Sequence, residues 1–507
     1  MAINGIKTNS IWSITNYGFS ILSLFFLFPF MVHRLGDSNY GFFIFLGTIN
    51  GMASIANFGF SEASLRFIAL YHNKNDSDSL KRVFSTSFWT NLVLGTVTAI
   101  VLILLAGLIF GLLKETEVDF SLGVRLITIS AITFFIRFIT GIFSIVPQSL
   151  QRFDISSKIA IAETILRVGL YVVVLLSGYG LIGIVFSEAI LAIIISVVNY
   201  IYSSKLLGTF RLIGVPSVAT FKEIFNYSII AFITQMVGLL WQYTDRILLG
   251  YFIGSAAIAY FSVPQQIIFK ILGLVAAASV VLFPRFSVDK LDETAKLLYK
   301  EFTLIGLIFT LIVFSTLSLI IKDFISLWIS PSFAAETQSI AIILAMSCMI
   351  RGAFPVYENL FKGIGKPVFN MYIVIASSLI IVVLDFLLIP KLGLNGAGIA
   401  YLVSPLAGVA AMILIWRKIL NESLLEPLKK YLIPLVLSFS LLGLSFLIKT
   451  RFEISQSWAN ILFQALAFSI TLSAVLMGYY KIFLPQVWFS MRDLRIRMQT
   501  IWKPNDK

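Results

Sequence analysis

The chain has few charged residues for its length and almost no cysteine or histidine. Of its 507 residues, 12% are charged and 58% are hydrophobic, whereas a soluble domain carries about 25% charged residues. So few charges cannot cover a surface of this size in water, and we therefore expect lipid to surround most of it. The single cysteine, Cys348, excludes an intramolecular disulfide, and His33 and His72 are too few for a histidine-rich metal site.

Sequence motifs for nucleotide hydrolysis and metal catalysis are also missing. No GxxxxGK[ST] phosphate loop occurs, since the only Gly-Lys pair, Gly365-Lys366, is followed by Pro367, and neither HExxH nor paired CxxC is found. We therefore predict no cofactor, no metal and no catalytic residue. The net charge of +13 does not indicate a nucleic-acid partner, because most basic residues lie in short loops between apolar runs.

What the chain does contain is a long series of apolar runs. A membrane-spanning helix needs about 20 mainly apolar residues to cross the hydrocarbon layer. The hydropathy pattern predicts an all-α polytopic membrane protein, with the first run, 11–32, retained as a span and not cleaved as a signal peptide. The fourteen predicted helices are 10–32, 40–60, 84–113, 124–146, 159–178, 181–204, 224–250, 258–283, 301–321, 337–360, 368–389, 394–416, 431–449 and 458–481.

The basic residues outside these helices predict the orientation. With a cytoplasmic N-terminus, 26 Lys and Arg residues fall in inner segments and 7 in outer segments. An excess of this kind marks the cytoplasmic side. We therefore predict that both termini are cytoplasmic.

Two short patterns recur at nearly the same offset. The segment 177–184 (SGYGLIGI) resembles 390–397 (PKLGLNGA) at an offset of 213 residues, and 148–152 (QSLQR) resembles 358–362 (ENLFK) at an offset of 210. Because an even number of spans preserves orientation, this pattern favours a parallel duplication of six helices, in which a substrate site lies between two similar bundles. We predict two six-helix lobes around a central cavity, 1–210 and 211–420, and a C-terminal part, 421–507, with two further helices and a basic tail.

Charged residues inside predicted spans are candidates for a transport path, because a charge near the bilayer centre costs at least about 2.5 kcal/mol. Arg137 and Arg351 lie near the middle of helices four and ten, which the repeat makes equivalent, and Lys270 lies in helix eight. Guanidinium and ammonium groups suit an anionic head group such as phosphate or pyrophosphate. We predict that these three residues bind substrate. The alternative is that each binds backbone carbonyls or a carboxylate and serves only assembly.

Six further charged residues are candidates for ion coupling or gating. Glu163 and Arg167 lie four residues apart on one helix face, which favours a structural ion pair. The coupling or gating candidates are Glu188, Asp245, Arg246, Asp385, Glu163 and Arg167. A buried carboxylate is the usual proton carrier in ion-coupled transport, and polar packing is the equal alternative for Glu188 and Asp385.

The segments 30–41 (FMVHRLGDSNYG) and 243–250 (YTDRILLG), the second followed by Gly254 and Tyr260, resemble the polysaccharide-transport (Wzx-type) oligosaccharide flippases. The Gly-Leu-x-Gly pattern after helices five and eleven is similar too. These flippases share a superfamily with multidrug exporters and lipid II flippases.

Membership would imply alternating access and transport of an undecaprenyl-pyrophosphate-linked oligosaccharide from the inner to the outer leaflet of a bacterial inner membrane. It would also imply a surface-polysaccharide pathway (O-antigen, capsule or exopolysaccharide), with a polymerase and glycosyltransferases as partners alongside the lipid-linked substrate and membrane lipid. The alternatives are a lipid II or multidrug exporter on the same scaffold, or a polytopic glycosyltransferase or polymerase. The enzyme would need a large outer loop, which the sequence lacks, and Asp76-Ser77-Asp78 is interpreted as a solvated turn.

Overall fold

The computed structural model describes residues 2–207, 213–287, 291–423, 425–451 and 457–487. Every regular element in these ranges is helical. The chain divides into two compact units, Met1–Ser262 and Val263–Lys507. The predicted lobe boundary at 210/211 lies outside the described residues, and the predicted lobe organisation therefore stays a prediction.

The first unit is built from nine helices and the start of a tenth. They are α1 (Ala2–Leu35), α2 (Asp37–Ala53), α3 (Phe60–Asn73), α4 (Ser77–Leu104), α5 (Ala106–Gly111), α6 (Phe120–Ser149), α7 (Phe153–Leu176), α8 (Gly180–Leu207), α9 (Val218–Phe252) and α10 (Ser255–Ser279). Helix α6 packs against α4 and α8, α1 packs against α7, and α9 packs against α2, α3 and α4.

The second unit continues from α10. Its helices are α11 (Phe283–Phe286), α12 (Glu293–Trp328), α13 (Pro331–Arg351), α14 (Phe354–Gly363), α15 (Val368–Leu392), α16 (Leu394–Val403), α17 (Leu406–Lys418), α18 (Leu425–Pro427), α19 (Ile433–Arg451) and α20 (Trp458–Phe483), with a π-helical turn, Leu428–Leu432, before α19. Helix α12 packs against α13, α19 and α20, and α16 packs against α13 and α15.

Short polar side chains fix where several of these helices begin. A side-chain oxygen accepts a hydrogen bond from the backbone N–H three residues later at Asp76, Ser217, Asp292, Ser330 and Ser457. Such caps satisfy one of the first four N–H groups of a helix, which have no partner within the helix itself. Local sequence therefore sets the N-terminal ends of α4, α9, α12, α13 and α20.

The described helices confirm a polytopic all-α membrane protein, while the span count of fourteen is approximate. Twelve helices in the described ranges are long and apolar enough to cross a membrane, or thirteen when the bent pair α2–α3 is counted as one span. The remaining predicted span, 224–250, lies in the 35-residue helix α9, which is long enough to cross but is not among those twelve.

The second predicted span, 40–60, is a broken helix in the structure. Helix α2 and the short turn Ser54–Asn57 are bent by 54° relative to α3. Phe58 and Gly59 at the break have φ values of 47° and 74°, in the left-handed region that ends a helix. Asn57 at the break is buried and Ser54 is partly buried, as expected for irregular backbone in a membrane protein, which is buried in protein or lines a water-filled cavity.

The repeated glycine pattern lies at a junction between two helices in both units. Gly180 and Gly393, which are equivalent in the repeat, have φ values of 52° and 60°. A Cβ at Gly183 would lie 2.2 Å from Val174 Cγ1 of the preceding helix, and one at Gly396 would lie 2.6 Å from the Leu388 backbone. The glycines thus allow a tight turn and then a close helix pair, α7–α8 in one unit and α15–α16 in the other.

Candidate functional site

Helix α7 presents three polar side chains on one face. Glu163, Arg167 and Tyr171 are spaced by four residues, so they lie above one another on the helix. Helix α6 contributes Arg137 and helix α8 contributes Glu188 to the same place. These five residues form what we term the charge cluster of the first unit.

Each arginine of the charge cluster binds both glutamates. Arg137 Nη1 lies 3.0 Å from Glu163 Oε1 and its Nη2 lies 3.1 Å from Glu188 Oε2. Arg167 Nη2 lies 2.6 Å from Glu163 Oε1 and its Nε lies 2.8 Å from Glu188 Oε1. Tyr171 also donates a hydrogen bond of 2.7 Å to Glu188 Oε1. Two positive and two negative charges therefore compensate one another within one network.

The members of the cluster differ in exposure. The side chain of Arg137 is 37% exposed, whereas those of Glu163 and Glu188 are 19% and 21% exposed. Partly buried carboxylates are costly to leave unpaired. Because Arg167 binds both glutamates, each glutamate would keep a cationic partner if the Arg137 guanidinium moved away.

Arg137 also lines a cavity of about 610 Å³, together with polar side chains and with Phe134 and Phe138. Half of the lining comes from the break between α2 and α3 and its flanks, namely Gly51, Ser54, Asn57, Gly59, Ser61 and Glu62. Helix α9 adds Gln235, and α2 adds Asn50, whose Nδ2 donates to Ser130 Oγ at 2.8 Å. The cavity therefore joins an arginine to the N-terminal end of α3, where the helix dipole favours negative charge.

Arg351 has a different environment at the C-terminal end of α13. It is 9% exposed, and it donates from Nε to Ser347 Oγ at 3.2 Å and from Nη2 to Ser404 Oγ at 2.6 Å. Ser404 precedes the proline break between α16 and α17. Pro405 has no N–H, which leaves the Tyr401 carbonyl without its helical donor; the hydroxyls of Ser347 and Ser404 donate to that carbonyl at 2.6 and 3.1 Å.

Close helix packing surrounds Arg351. A Cβ added at Gly352 would lie 2.1 Å from Thr310 Oγ1, and one at Gly306 would lie 2.5 Å from the Gly352 carbonyl. Arg351 is not among the residues that line the cavities described here. Its partners and packing thus favour a role in joining α13 to the α16–α17 break.

The other candidates are placed separately along the two units. Lys270 is half-buried in α10, and Asp385 is fully buried in α15. Asp245 is fully buried in α9, and its Oδ1 accepts from the backbone N–H of Arg246 at 2.7 Å. The guanidinium carbon of Arg246 lies 5.7 Å from the ring centroid of Tyr243. The transport roles of these four residues stay predictions.

Sequence reasoning joined Glu163 to Arg167 but missed the larger cluster. The four-residue spacing of Tyr171 from Arg167 was available as a signal, because it puts both on one face of α7. The partners of Arg137 were not available, since they lie 26 and 51 residues away on other helices. The polar break at Ser54–Gly59 was also missed, because the surrounding residues are apolar enough to pass as one span.

No group of three or more His, Cys, Asp or Glu side chains with metal-site geometry occurs in the described part of the chain. The chemistry of the first-unit site is therefore that of guanidinium, carboxylate, hydroxyl and amide groups around a cavity. Such groups can hold and orient a polar or anionic ligand.

Comparison with known families decides the classification. The family model described as "Polysaccharide biosynthesis protein" matches residues 6–288, which is more than half of the chain. This chain belongs to that family. The predicted resemblance to the polysaccharide-transport flippases is thereby confirmed.

Relatives of this polysaccharide biosynthesis family member support the same classification. A putative O-antigen transporter of Shigella flexneri is 22% identical over 404 residues, which are 78% of this chain and 94% of that protein. The structure of the lipid II flippase MurJ, in an inward-closed conformation, matches with a TM-score of 0.73 at 15% identity, over 93% of this chain and 98% of that one. An inward-facing multidrug transporter of the MATE family matches with a TM-score of 0.59 at 17% identity, over 78% and 92%. These two structures show the fold alone.

Proposed function

We propose that this protein is a flippase for an undecaprenyl-pyrophosphate-linked oligosaccharide repeat unit. It moves the unit from the inner to the outer leaflet of the bacterial inner membrane by alternating access, with both termini cytoplasmic. The product enters the synthesis of O-antigen, capsule or exopolysaccharide, together with the polymerase and glycosyltransferases of the same pathway. The family match and the O-antigen transporter relative support this class of substrate.

One structural observation carries the proposal: the charged side chain of Arg137 lines a cavity in a membrane protein. The cavity volume of about 610 Å³ is within the range of small-ligand sites, and a pyrophosphate with its first sugar is a ligand of this size. A guanidinium can hold two phosphate oxygens at once. The N-terminal end of α3 on the same cavity also favours an anion, as broken helices do in other transporters.

The charge cluster offers a way to release Arg137 for substrate. In the described state the guanidinium binds Glu163 and Glu188. When a pyrophosphate enters, its oxygens replace these carboxylates as partners of Arg137, while both carboxylates keep Arg167 and Glu188 keeps Tyr171. The exchange leaves no buried charge alone, and its cost is correspondingly small.

The remaining candidates have supporting roles in the proposal. Lys270 is a further candidate for contact with an anionic substrate, and Arg351 positions the α13 and α16–α17 helices through Ser347 and Ser404. Glu188, Asp245, Arg246 and Asp385, with the Glu163–Arg167 pair, are the positions at which ion coupling or gating would act.

Transport by the purified protein tests the proposal. Proteoliposomes receive a fluorescent undecaprenyl-pyrophosphate oligosaccharide in one leaflet, and a membrane-impermeant reagent that modifies the sugar measures its appearance in the other. We expect wild-type protein to speed the transfer well above protein-free vesicles. Transfer no faster than in protein-free vesicles, with export of a cationic dye, would favour the multidrug alternative. Transfer of lipid II at an equal rate would favour the lipid II alternative, and hydrolysis or extension of the sugar would favour an enzyme.

A further inference from the structure

A second cavity lies within the second unit, and it differs from the first in being almost wholly apolar. It has a volume of about 340 Å³ and is lined by residues of α12, α13, α17 and the segment that leads into α19. On α17 the lining residues Leu406, Val409, Met412, Ile413 and Trp416 lie on one face. They follow the helix for about 15 Å at 1.5 Å per residue. A long apolar cavity of this kind suits a hydrocarbon chain.

The wall on the α19 side contains an irregular helical turn. Leu428, Tyr431 and Leu432 line the cavity and belong to the π-helical turn that precedes α19. The hydroxyls of Tyr479 and Tyr480 on α20 donate to the carbonyls of Lys429 and Lys430 at 2.8 and 2.9 Å. A π-turn is rare, and it is frequently found at functional sites. Here the two tyrosines hold it in place beside the cavity.

The cavity wall contains one tryptophan, Trp416. The side chain of Trp416 is 1% exposed, and within the described residues no atom accepts a hydrogen bond from its indole N–H. Its ring contacts are with Lys300, whose Nζ lies 5.6 Å from the ring centroid, and with Tyr431 at 6.1 Å between centroids. Trp416 is thus a lining residue whose fluorescence can report on a ligand in the cavity.

Basic residues flank the same end of the cavity. Arg417 and Lys418 follow Trp416 directly, and Lys429 lies in the π-turn; all three are exposed, and no salt bridge to them occurs in the described ranges. The segment 417–430 contains four basic and two acidic residues, and one of the acidic residues, Glu422, pairs with Lys300. The local charge is therefore positive on the side predicted to face the cytoplasm.

We propose that this cavity is a binding site for an anionic glycerophospholipid such as phosphatidylglycerol. One acyl chain lies along α17 in the cavity, and the phosphate lies among Arg417, Lys418 and Lys429. The order of groups in the lipid, from phosphate to hydrocarbon, matches the order from the basic residues to the apolar wall. Basic pockets between membrane helices on the cytoplasmic side bind anionic head groups in this way.

The cavity size favours a phospholipid over the polyprenyl carrier. A volume of about 340 Å³ is at the small end of ligand sites. It accommodates one acyl chain, whereas a carrier polyprenyl chain is several times longer. The proposal is independent of the proposed transport function, since it depends only on residues of the second unit.

Fluorescence quenching tests the site directly. The full chain is placed in nanodiscs whose acyl chains are partly brominated, with either phosphatidylglycerol or phosphatidylcholine as the brominated lipid. Subtracting the signal of Trp416→Phe isolates quenching of Trp416 from that of the seven other tryptophans. We expect half-maximal quenching at about tenfold less brominated phosphatidylglycerol than phosphatidylcholine, because the nearby basic residues attract an anionic lipid, each by about fivefold at most and by less where solvent and salt screen its charge.

Matched variants distinguish binding at this site from general electrostatic attraction of anionic lipid to the protein. Lys418→Ala/Lys429→Ala should reduce the preference to about twofold or less, while Lys74→Ala/Lys222→Ala, which removes the same charge from the first unit, should keep it. Val409→Phe fills the cavity and should abolish saturable quenching, whereas Val436→Phe, at an exposed position of α19, should not. Equal quenching by the two lipids in wild type, or equal loss in both double variants, would overturn the proposal. Displacement of brominated phosphatidylglycerol by equimolar undecaprenyl phosphate would assign the cavity to the carrier instead.

Discussion

Arg137 and Arg351 are on helices that the sequence repeat makes equivalent, yet their surroundings differ. Arg137 is half-exposed, binds two carboxylates and lines a cavity. Arg351 is buried among hydroxyl groups. These hydroxyls donate to the Tyr401 carbonyl, which has no helical donor because residue 405 is a proline. An arginine with carboxylate partners and access to a cavity can exchange them for a ligand, whereas one enclosed by close packing joins helices. We therefore expect the two arginines to have different roles.

The largest expected effect is on transport when Arg137 is replaced. Arg137→Ala should lower the initial flipping rate by about 100-fold, because a charged contact to the head group is worth about 3 kcal/mol, and Arg137→Lys should recover only part of it. The measurement is the proteoliposome rate, with membrane abundance as control. A wild-type rate in both variants would remove Arg137 from the substrate site.

Replacing the other arginine of the charge cluster should instead affect stability. Arg167→Ala leaves Glu163 and Glu188 with Arg137 alone, and we expect it to lower the free energy of unfolding by about 2 kcal/mol, less than for a fully buried pair because Arg167 is 30% exposed. Thermal unfolding in detergent measures this. Arg137→Ala is the matched comparison and should lower it by roughly 1 kcal/mol or less. A larger loss of stability in Arg137→Ala than in Arg167→Ala would show that Arg137 is the structural partner of the two glutamates.

For Arg351 in the second unit we expect a large effect on stability and a small effect on the flipping rate, which is the opposite of the expectation for Arg137. Arg351→Ala should lower the unfolding free energy by about 2 kcal/mol, since it leaves a cavity and removes donors to Ser347 and Ser404. Ser404→Ala should cost about 1 kcal/mol. If flipping per folded molecule falls about 100-fold in Arg351→Ala while thermal unfolding is unchanged, Arg351 contacts the substrate and the comparison fails.

The smallest expected effect concerns Glu62, which shares the cavity with Arg137. Glu62→Gln removes a negative charge near the proposed head-group site, and we expect about twofold tighter apparent affinity for an anionic lipid-linked substrate, measured as the half-saturating concentration at low salt. Glu336→Gln, at an exposed site in the second unit, is the control and should have no effect. Weaker affinity in Glu62→Gln would place Glu62 among the groups that bind substrate.

The charged candidates show where sequence reasoning ends. Hydropathy found Arg137, Glu163, Arg167 and Glu188 as interior charges because each interrupts an apolar run. It could pair only Glu163 with Arg167, since that pair depends on helix periodicity alone. The pairing of Arg137 with Glu188 depends on how α6 and α8 pack, and no local pattern records which faces of two helices meet.

Sequence by itself determined that this is a polytopic α-helical membrane protein of a polysaccharide biosynthesis family, because hydropathy and helix length are local properties that lipid imposes on every span. The starts of several helices and the glycine turns also follow from the sequence, because each depends on a single residue and its immediate neighbours. Tertiary structure alone decided that α2–α3 breaks beside a cavity, that Arg137 faces it and that Arg351 is enclosed. Those features depend on contacts between residues far apart in the chain, where packing of side chains, and not local preference, sets the free energy.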